Sequence, residues 1–372
     1  MRFLITGDLV VNQEYDPEKN IDLQLVKLFE SSDFNIVNLE APVTQSENKI
    51  IKTGPHLKAN KNSTLGVLKK LNINIIALAN NHIKDYSEQG VLDTIDFCKN
   101  NDINIMGAGK NLKEASETKI LNTIEGKIAL INIAENEWSS AGENNAGANG
   151  MNFIKDIRKI QEARENYDFV FVIIHGGHEY YNLPSPRIRE QYRFYIEQGA
   201  DLVVGHHTHC MSGFEIYNGK PIYYSLGNFL FTKKNVNEEW YEGLVLGVEI
   251  NNGILESRLY PVKQTKENFS ICLLQGSEKE NVFVKINSLN QKIINDAILF
   301  KEWKEFTQSK SRMYLNYLSP LSFIRSKVIS AILFKLKIKL INKVGLALYL
   351  NLIRCEAHSD VSKEILKDYL NK

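Results

Sequence analysis

The chain has 372 residues, enough to bury a large core and to form one large domain with an appendage. Its 45 Lys and Arg residues nearly balance its 44 Asp and Glu residues. This balance excludes a strongly basic protein, and we expect no nucleic-acid partner. The four cysteines are far apart and lack a Cys-x-x-Cys spacing, which argues against a zinc ribbon or a disulfide framework and suits a reducing compartment.

Short apolar runs alternate with amphipathic stretches as far as about residue 235. The apolar runs predict strands buried on both faces. They are Phe3–Thr6, Phe34–Leu39, Ile73–Ala79, Ile103–Met106, Ile128–Ala134, Phe169–Ile174, Ala200–Val204 and Pro221–Ser225. The amphipathic stretches predict helices, among them Asp22–Ser31, Ser63–Leu71, Ser87–Asn100 and Arg187–Gln198. Strands alternating with helices predict an α/β layered fold.

The pattern changes twice beyond residue 235. Gly243–Glu249 and Leu255–Val262 alternate or are β-branched, which predicts further strands. Phe283–Lys372 is rich in Lys and Leu and contains one Pro and one Gly, which predicts helices. We therefore predict an α/β domain over residues 1–280 and a basic helical appendage over residues 281–372.

Within this appendage, Ser319–Leu352 has six basic residues and no acidic one. These are Arg325, Lys327, Lys335, Lys337, Lys339 and Lys343. Such a segment is able to lie on an anionic membrane or on a partner protein. We expect instead that it packs on the α/β domain with a solvated basic face. Its apolar runs are too short to cross a bilayer and too apolar to stay uncovered.

The amino terminus has no basic stretch followed by an apolar one, as a signal peptide would have. No apolar run approaches the roughly 18–20 residues of a membrane span. We expect a cytoplasmic protein, with peripheral membrane association through the basic segment as the alternative.

Polar side chains follow five of the predicted strands. They are Asp8, Glu40, Asn81, His175, and the pair His207 and His209. Because ligands bind at the carboxyl ends of strands in α/β sheets, we expect these groups to converge. Carboxylate, carboxamide and imidazole ligands suit Mn²⁺, Fe²⁺ or Zn²⁺, and six donors exceed what one tetrahedral ion takes. The sequence therefore predicts two divalent transition-metal ions that share a carboxylate.

Taken singly, most of these motifs have an ordinary structural explanation. Asp8 suits a turn or a cap, Glu40 suits a solvated loop, and Asn80-Asn81-His82 suits a helix N-cap beside a core histidine. His207 and His209 are harder to explain in this way, because alternate residues of an extended segment point to the same side. The metal prediction depends on all five segments in their chain order.

The motifs in that order resemble the CapA (poly-γ-glutamate capsule biosynthesis) family, a branch of the calcineurin-like metallophosphoesterase superfamily. They are Gly7-Asp8, Asn38-Leu39-Glu40, Ala79-Asn80-Asn81-His82, His175-Gly176-Gly177-x-Glu179-Tyr180, Gly205-His206-His207-x-His209 and Tyr224-Ser225-Leu226-Gly227-Asn228-Phe229. The similarity covers about residues 1–235. It implies a four-layer αββα sandwich of two mixed sheets, followed here by the helical appendage.

The resemblance also implies a role for each ligand. Asp8 matches a ligand of the first metal and Glu40 matches the bridging carboxylate. Asn81 and His175 match ligands of the second metal. The terminal pair, His207 and His209, matches one ligand for each ion.

Two positions depart from the broader superfamily. The usual Asp-x-His motif has Val10 at its third position, and the bridging residue is Glu40 rather than Asp. The first metal is therefore left with Asp8, Glu40 and His209, and Asn38 is a candidate to complete its shell. The CapA branch shares these departures, which weakens a generic phosphatase assignment.

The resemblance implies a hydrolase that acts on a phosphoester-type bond in an anionic substrate or surface-polymer precursor. His82, which follows the Asn ligand, is the expected proton donor, and Glu179 is the second catalytic candidate. The candidates for substrate binding are Asn38, His178, Arg187, His206 and Asn228. The alternative is a non-catalytic assembly factor that binds a capsule-machinery protein and uses its metals structurally.

Overall fold

The computed structural model describes residues 1–318, 324, 326–336 and 342–370. The chain divides into two compact units, Met1–Phe300 and Lys301–Lys372. The strands are β1 (Arg2–Val10), β2 (Phe34–Leu39), β3 (Ile75–Ala77), β4 (Asn104–Met106), β5 (Ala108–Gly109), β6 (Lys119–Thr123), β7 (Gly126–Ala134), β8 (Gly147–Ala148), β9 (Phe169–His175), β10 (Leu202–His206), β11 (Phe214–Tyr217), β12 (Lys220–Tyr223), β13 (Asn228–Phe231), β14 (Glu242–Asn251), β15 (Ile254–Gln264) and β16 (Ile271–Leu273).

Helices connect many of these strands and form the tail. They are α1 (Pro17–Asn20), α2 (Leu23–Glu30), α3 (Lys61–Lys70), α4 (Ser87–Lys99), α5 (Leu112–Ala115), α6 (Phe153–Asn166), α7 (Pro186–Glu197), α8 (Gly276–Ile294), α9 (Asp296–Tyr317), α10 (Lys327–Lys335), α11 (Lys343–Arg354) and α12 (Glu356–Leu370). A 3₁₀ turn covers Glu238–Tyr241. Each of the eight apolar runs chosen from the sequence up to residue 235 contains or overlaps a strand.

Two mixed sheets make up the first unit. The order of the first is β16-β15-β14-β1-β2-β3-β4, with β1 to β4 parallel and β14 antiparallel to β1. A short strand, β13, also pairs in parallel with the end of β1. The order of the second is β11-β12-β10-β9-β7-β6, with a parallel centre formed by β12, β10, β9 and β7.

The main core lies between the sheets. Phe3 and Ile5 of β1 share one buried apolar cluster with Phe171 and Ile173 of β9. The rings of Phe3 and Phe171 meet edge to face, with centroids 5.5 Å apart. Leu4, between the two inward residues of β1, belongs to a second cluster on the opposite face. This alternation is the two-residue period of a strand that is covered on both sides.

Helices cover the outer faces of both sheets. The second cluster joins Leu4 to Leu25 and Phe29 of α2 and to Val67 of α3, so these helices lie on the first sheet. On the other side, α6 packs on β9 and α7 packs on β10 and β12. The result is a four-layer αββα sandwich, which confirms the fold class expected from the resemblance.

Helix α8 belongs to the first unit. Val282, Ile286, Leu289 and Ile293 form a buried stripe at helical spacing, and the first two join the core between the sheets. The Asn290 side chain also accepts a hydrogen bond of 2.7 Å from the backbone of Phe214 in β11. The compact unit therefore ends at residue 300 rather than at 280, because this stripe completes the core.

The second unit is helical where it is described, which agrees with the predicted helical tail. Lys335 lies in α10 and Lys343 in α11, while Arg325, Lys337 and Lys339 lie outside the described residues. No helix in the described part of the chain is both long and apolar enough to span a membrane. The packing of this tail and its contact with a membrane or partner stay predictions.

Candidate metal centre

The ends of five parallel strands bring six polar residues together where the sheets face each other. Asp8 lies near the end of β1, and Glu40 directly follows β2. The loop after β3 supplies Asn81. The second sheet supplies the three imidazoles, His175 at the end of β9 and then His207 and His209 after β10. This is the crevice at the carboxyl ends of strands in which α/β folds bind ligands.

Asp8 has no exposed surface. Its Oδ1 accepts a hydrogen bond of 2.6 Å from Asn38 Nδ2, and its Oδ2 accepts one of 3.2 Å from the backbone N–H of His207. Burial raises the pKa of Asp8 to about 7 in spite of these two donors. A nearby positive charge would favour the ionised form of this carboxylate.

Glu40 is also fully buried, and neither of its carboxylate oxygens has a hydrogen-bond partner among the described residues. Its Oε1 lies 3.4 Å from His175 Nε2 and 3.8 Å from His209 Nε2. Burial is the main cause that raises the pKa of Glu40 well above its usual range, and repulsion by Asp8 adds to it. Buried carboxylates are normally hydrogen-bonded, so the absence of a donor to Glu40 among the described residues is unusual.

Three imidazoles complete the cluster. His175 Nε2 lies 3.0 Å from Asn81 Oδ1 and 3.1 Å from His207 Nδ1, and His209 Nδ1 lies 3.6 Å from Asp8 Oδ2. Burial lowers the pKa of His207 to about 3 and that of His209 to about 4, and it lowers the pKa of His175 well below its usual value. Neutral imidazole is the form that binds metal ions.

These donors fit divalent cations. Asp8, Glu40 and His209 offer ligand atoms that all lie within 4.8 Å of one another, and so do Glu40, His175 and His207. Glu40 belongs to both groups. A cation would provide the partner that its orphaned oxygens lack, and imidazole with carboxylate is a typical donor set for Zn²⁺, Mn²⁺ or Fe²⁺. The buried cluster is thus compatible with metal binding.

The backbone is strained where the terminal histidines leave β10. His207 has φ +89° and His209 has φ +56°, values that non-glycine residues rarely adopt. The His207 N–H to Asp8 bond and a 2.9 Å contact between His209 Nδ1 and Asn228 Oδ1 hold this conformation. Strain of this kind persists where surrounding contacts fix a functional geometry.

His82 lies beside the cluster and outside the two ligand groups. Its Nδ1 is 2.6 Å from Asp85 Oδ2, and Asp85 is fully buried. The charge of His82 influences His175, His207 and His209, so its ring lies within electrostatic reach of the ligands. Burial lowers the pKa of His82, while the Asp85 carboxylate acts in the opposite direction.

The segment after His175 reaches the surface. Glu179 is exposed, and its charge raises the pKa of Glu40, which indicates that it lies near the mouth of the cluster. His178 is half-buried, and burial lowers its pKa. These two residues thus lie where the segment leaves the cluster for the surface.

Arg187 lines a cavity of about 810 Å³. The cavity wall also includes Glu135, Glu137, Phe153, Gln191 and Phe194. Arg187 donates to Glu135 Oε1 over 2.8 Å. Glu137 joins the cavity to the cluster, because its Oε1 lies 3.2 Å from Asn81 Nδ2 and 3.6 Å from His207 Nε2.

The other three residues expected to bind substrate are buried and support the cluster instead. Asn38 lies between Asp8 and His175, at 2.6 Å and 3.0 Å from their nearest polar atoms. Asn228 contacts His209, and His206 Nε2 lies 2.8 Å from the backbone oxygen of Thr6. The apolar run before His206 continues through it as strand β10, so its ring packs between the sheets.

Three residues that adjoin the site were not predicted from the sequence. Asp85 follows His82 by three residues, a spacing that places both on one turn and was a usable signal. Glu137 lies in the loop after β7, and Lys52 lies in the loop after Glu40; nothing in their local sequence marks them. Lys52 forms an ion pair with Asp85.

Comparisons with known proteins identify the family of this chain. Residues 4–233 match the family described as "Bacterial capsule synthesis protein PGA_cap". The chain is 38% identical over 209 residues to the "PGA biosynthesis protein CapA" of Bacillus subtilis, covering 55% of this chain and 54% of the relative. It is 34% identical over 210 residues to the "Capsule biosynthesis protein CapA" of Bacillus anthracis, covering 54% of this chain and 51% of that relative.

A crystal structure described as a novel phosphatase from Mycoplasma pneumoniae is similar to 72% of this chain and 95% of its own, with 12% identity and a TM-score of 0.45. The chain spans about half the length of the curated relatives that it matches. The family match covers the strands that carry all six candidate ligands. The protein therefore belongs to the bacterial capsule synthesis family PGA_cap, the family to which its motifs point.

Proposed function

We propose that this protein is a metal-dependent hydrolase that holds two divalent transition-metal ions and cleaves a phosphoester-type bond in an anionic precursor of a bacterial capsule or surface polymer. The observation that supports this most is Glu40, whose two buried oxygens have no hydrogen-bond partner within the described residues. A carboxylate at the meeting point of two ligand groups suits a bridge between two ions. Family membership supports the capsule role.

The two ligand groups suggest how the ions would be held. One would bind Asp8, Glu40 and His209, and the other would bind Glu40, Asn81, His175 and His207. When bound, such ions supply Lewis acidity, which makes a water molecule more acidic and offsets charge on a substrate oxygen. Manganese, iron and zinc all suit these donors.

His82 would be the proton donor of the reaction. Asp85 lies 2.6 Å from its Nδ1, so Nε2 is the nitrogen left for proton transfer. A proton held at Nε2 would pass to the leaving oxygen of the substrate, and Nδ1–H would stay with Asp85. Glu179, exposed near the mouth, is the candidate for replacing that proton from solvent.

The substrate would extend into the 810 Å³ cavity that Glu137 joins to the metal ligands. Arg187 would bind an anionic group there. Phe153 and Phe194, whose rings stack with centroids 5.6 Å apart, provide an apolar wall for the carbon chain of the substrate.

The test is metal analysis combined with an activity screen on the full chain. The purified protein is loaded separately with Mn²⁺, Fe²⁺ and Zn²⁺, and hydrolysis of p-nitrophenyl phosphate and bis(p-nitrophenyl) phosphate is measured. We expect two ions per chain and metal-dependent turnover. His207→Ala should lose metal and activity, whereas His358→Gln, a change at an exposed histidine in the tail, should lose neither.

His82→Gln separates the enzyme from the alternative of a non-catalytic assembly factor. An enzyme keeps its metals and loses turnover by about 100-fold or more when its proton donor is removed. If His82→Gln retains metal and full support of capsule formation in cells, the assembly role replaces the proposed one.

A further inference from the structure

The loop that leads away from Glu40 carries a buried charge. Residues 41–60 form neither helix nor strand, and loops longer than about 12–15 residues without secondary structure are usually functional. Ile51, Thr53, Gly54 and Pro55 are exposed, but the side chain of Lys52 between them is only 2% exposed. Lysine is almost never buried unless it is paired, so a buried partner is expected for this ammonium group.

The ammonium group of Lys52 contacts two side chains beside the candidate metal centre. Its ammonium forms an ion pair with Oδ1 of Asp85, and its Nζ lies 3.1 Å from His82 Nδ1. The backbone of the same loop also contacts Asp85, because Leu57 N–H donates to Oδ2 over 2.7 Å. The loop thus contacts both oxygens of the carboxylate that faces His82.

The contacts of His82 Nδ1 decide which tautomer is favoured. If Nδ1 carries a proton, it donates to Asp85 Oδ2; if it is bare, it accepts from Lys52. The carboxylate is the nearer group, at 2.6 Å against 3.1 Å. Lys52 is therefore better placed as the counter-ion of Asp85 than as a donor to the ring.

We infer that Lys52 is a positioning residue, which holds Asp85 as an ionised acceptor and thereby fixes His82 with its proton on Nδ1 and with Nε2 available for chemistry. Without Lys52, Asp85 would be a fully buried carboxylate without its counter-ion, and such a group is costly. Loss of the ion pair would therefore weaken the hold on Asp85 as the acceptor for Nδ1–H of His82. This inference deepens the proposed function and depends on it only for the role of Nε2.

The direct test is the tautomer of His82. Full-length protein with ¹⁵N-labelled histidine, loaded with Zn²⁺ or metal-free if no zinc is retained, is studied by long-range ¹H–¹⁵N correlation, with His82→Gln used to assign the signal. Wild type should carry the proton on Nδ1. Lys52→Met should move it wholly or partly to Nε2, while Lys52→Arg and the loop control Lys49→Met should keep the wild-type pattern.

Turnover provides the second measurement. With bis(p-nitrophenyl) phosphate, Lys52→Met should lower kcat by about 10- to 100-fold, as loss of a supporting partner commonly does, and leave KM within about twofold. Lys52→Arg should recover most of kcat. A wild-type protein without turnover would count against the proposed function, yet the tautomer would still decide the role of Lys52.

A wild-type His82 pattern in Lys52→Met would overturn the inference, and so would a wild-type ring whose Nδ1 carries no proton. If the Met variant does not fold, Lys52→Gln takes its place, because it keeps a donor for Asp85 and removes only the charge. The same shift of the proton is expected for it, and its absence has the same meaning.

Discussion

Two buried carboxylates in this fold have opposite surroundings. Glu215 of β11 accepts from Arg193 Nε over 2.9 Å, from Arg193 Nη2 over 2.5 Å, and from the Tyr224 hydroxyl over 2.6 Å. Glu40, which is buried at least as deeply, has no donor in the part of the chain that the structure describes. Glu215 is a structural carboxylate whose hydrogen bonds are made within the fold, whereas the buried oxygens of Glu40 remain open to the proposed metal ions.

The largest difference should appear when each is replaced by its amide. Glu40→Gln removes the proposed shared ligand, so we expect metal affinity to fall by at least about 100-fold, more than loss of a supporting residue usually costs. The metal-free variant should melt no lower than metal-free wild type, because a neutral amide avoids the unfavourable burial that raises the pKa of Glu40. Elemental analysis and melting curves with and without chelator measure both effects.

Retention of both ions by Glu40→Gln, with unchanged stabilisation by metal, would show that Glu40 is not a ligand. For wild type, metal at about 100 times its Kd should add about 2.7 kcal/mol to the free energy of unfolding. That increment should disappear on chelation.

Glu215→Gln should have the reverse profile. It weakens charge-assisted hydrogen bonds to Arg193, so the free energy of unfolding should fall by about 2–3 kcal/mol while metal content stays the same. Denaturant titration of the variant beside wild type, both metal-free, gives the difference. A stability loss in Glu40→Gln equal to that in Glu215→Gln would remove the contrast between the two sites.

Asp156 is an intermediate case that titrates. It is nearly buried, and it accepts one 2.9 Å bond from Asn152 N–H at the start of α6. Burial raises its pKa to about 6 from 3.8, so the folded state holds this proton more tightly than the unfolded state. The stabilisation from this group is therefore complete at low pH and is lost as the pH rises from about 4 to about 6.

We expect that loss to be about 2 kcal/mol in wild type and absent in Asp156→Asn, which keeps an oxygen for the Asn152 bond. Unfolding titrations at pH 4, 5, 6 and 7 on both proteins isolate this contribution, because other titrating groups are common to both. Parallel pH profiles for the two proteins would refute the assignment.

The smallest effect on stability should come from Arg187, whose ion pair with Glu135 is at the surface. Its side chain is 59% exposed, so Arg187→Met should change the free energy of unfolding by about 0.5 kcal/mol or less. If the cavity binds an anionic substrate, KM should rise by about three- to tenfold with kcat nearly unchanged. Arg158→Met, at an exposed arginine that does not line the cavity, is the control for both measurements.

The sequence predicted the central strands well because strands buried on both faces are continuous apolar runs. The polar residue that ends each run was therefore visible, which is why Asp8, Glu40 and His175 were chosen. Contacts between distant segments could not be predicted from the sequence. The pairing of β13 with β1 and the burial of α8 depend on partners more than 200 and about 75 residues away, respectively, and no local period encodes them.

The same limit explains why the roles of the residues around the candidate ligands could not be predicted. Asn38, His206 and Asn228 were expected to touch substrate, because their position in the motifs shows only that they belong to the site. Whether such a side chain faces the substrate or supports a ligand depends on packing between the sheets. Lys52 could not be found at all, since a lysine among exposed loop residues has the appearance of a solvated one.

The pairing of Asp8 with Asn228 in register has a consequence for how the protein is made. His207 N–H bonds Asp8 across 199 residues, so the centre is a high-contact-order structure. At about 5–20 residues per second, roughly 10–40 s of synthesis separate these two residues. During that interval β1 lacks its neighbours β13 and β14, and the two halves of the ligand set cannot meet. Loading of the proposed metal ions would therefore be a late event, possible only after the second sheet has been synthesised and has docked on the first.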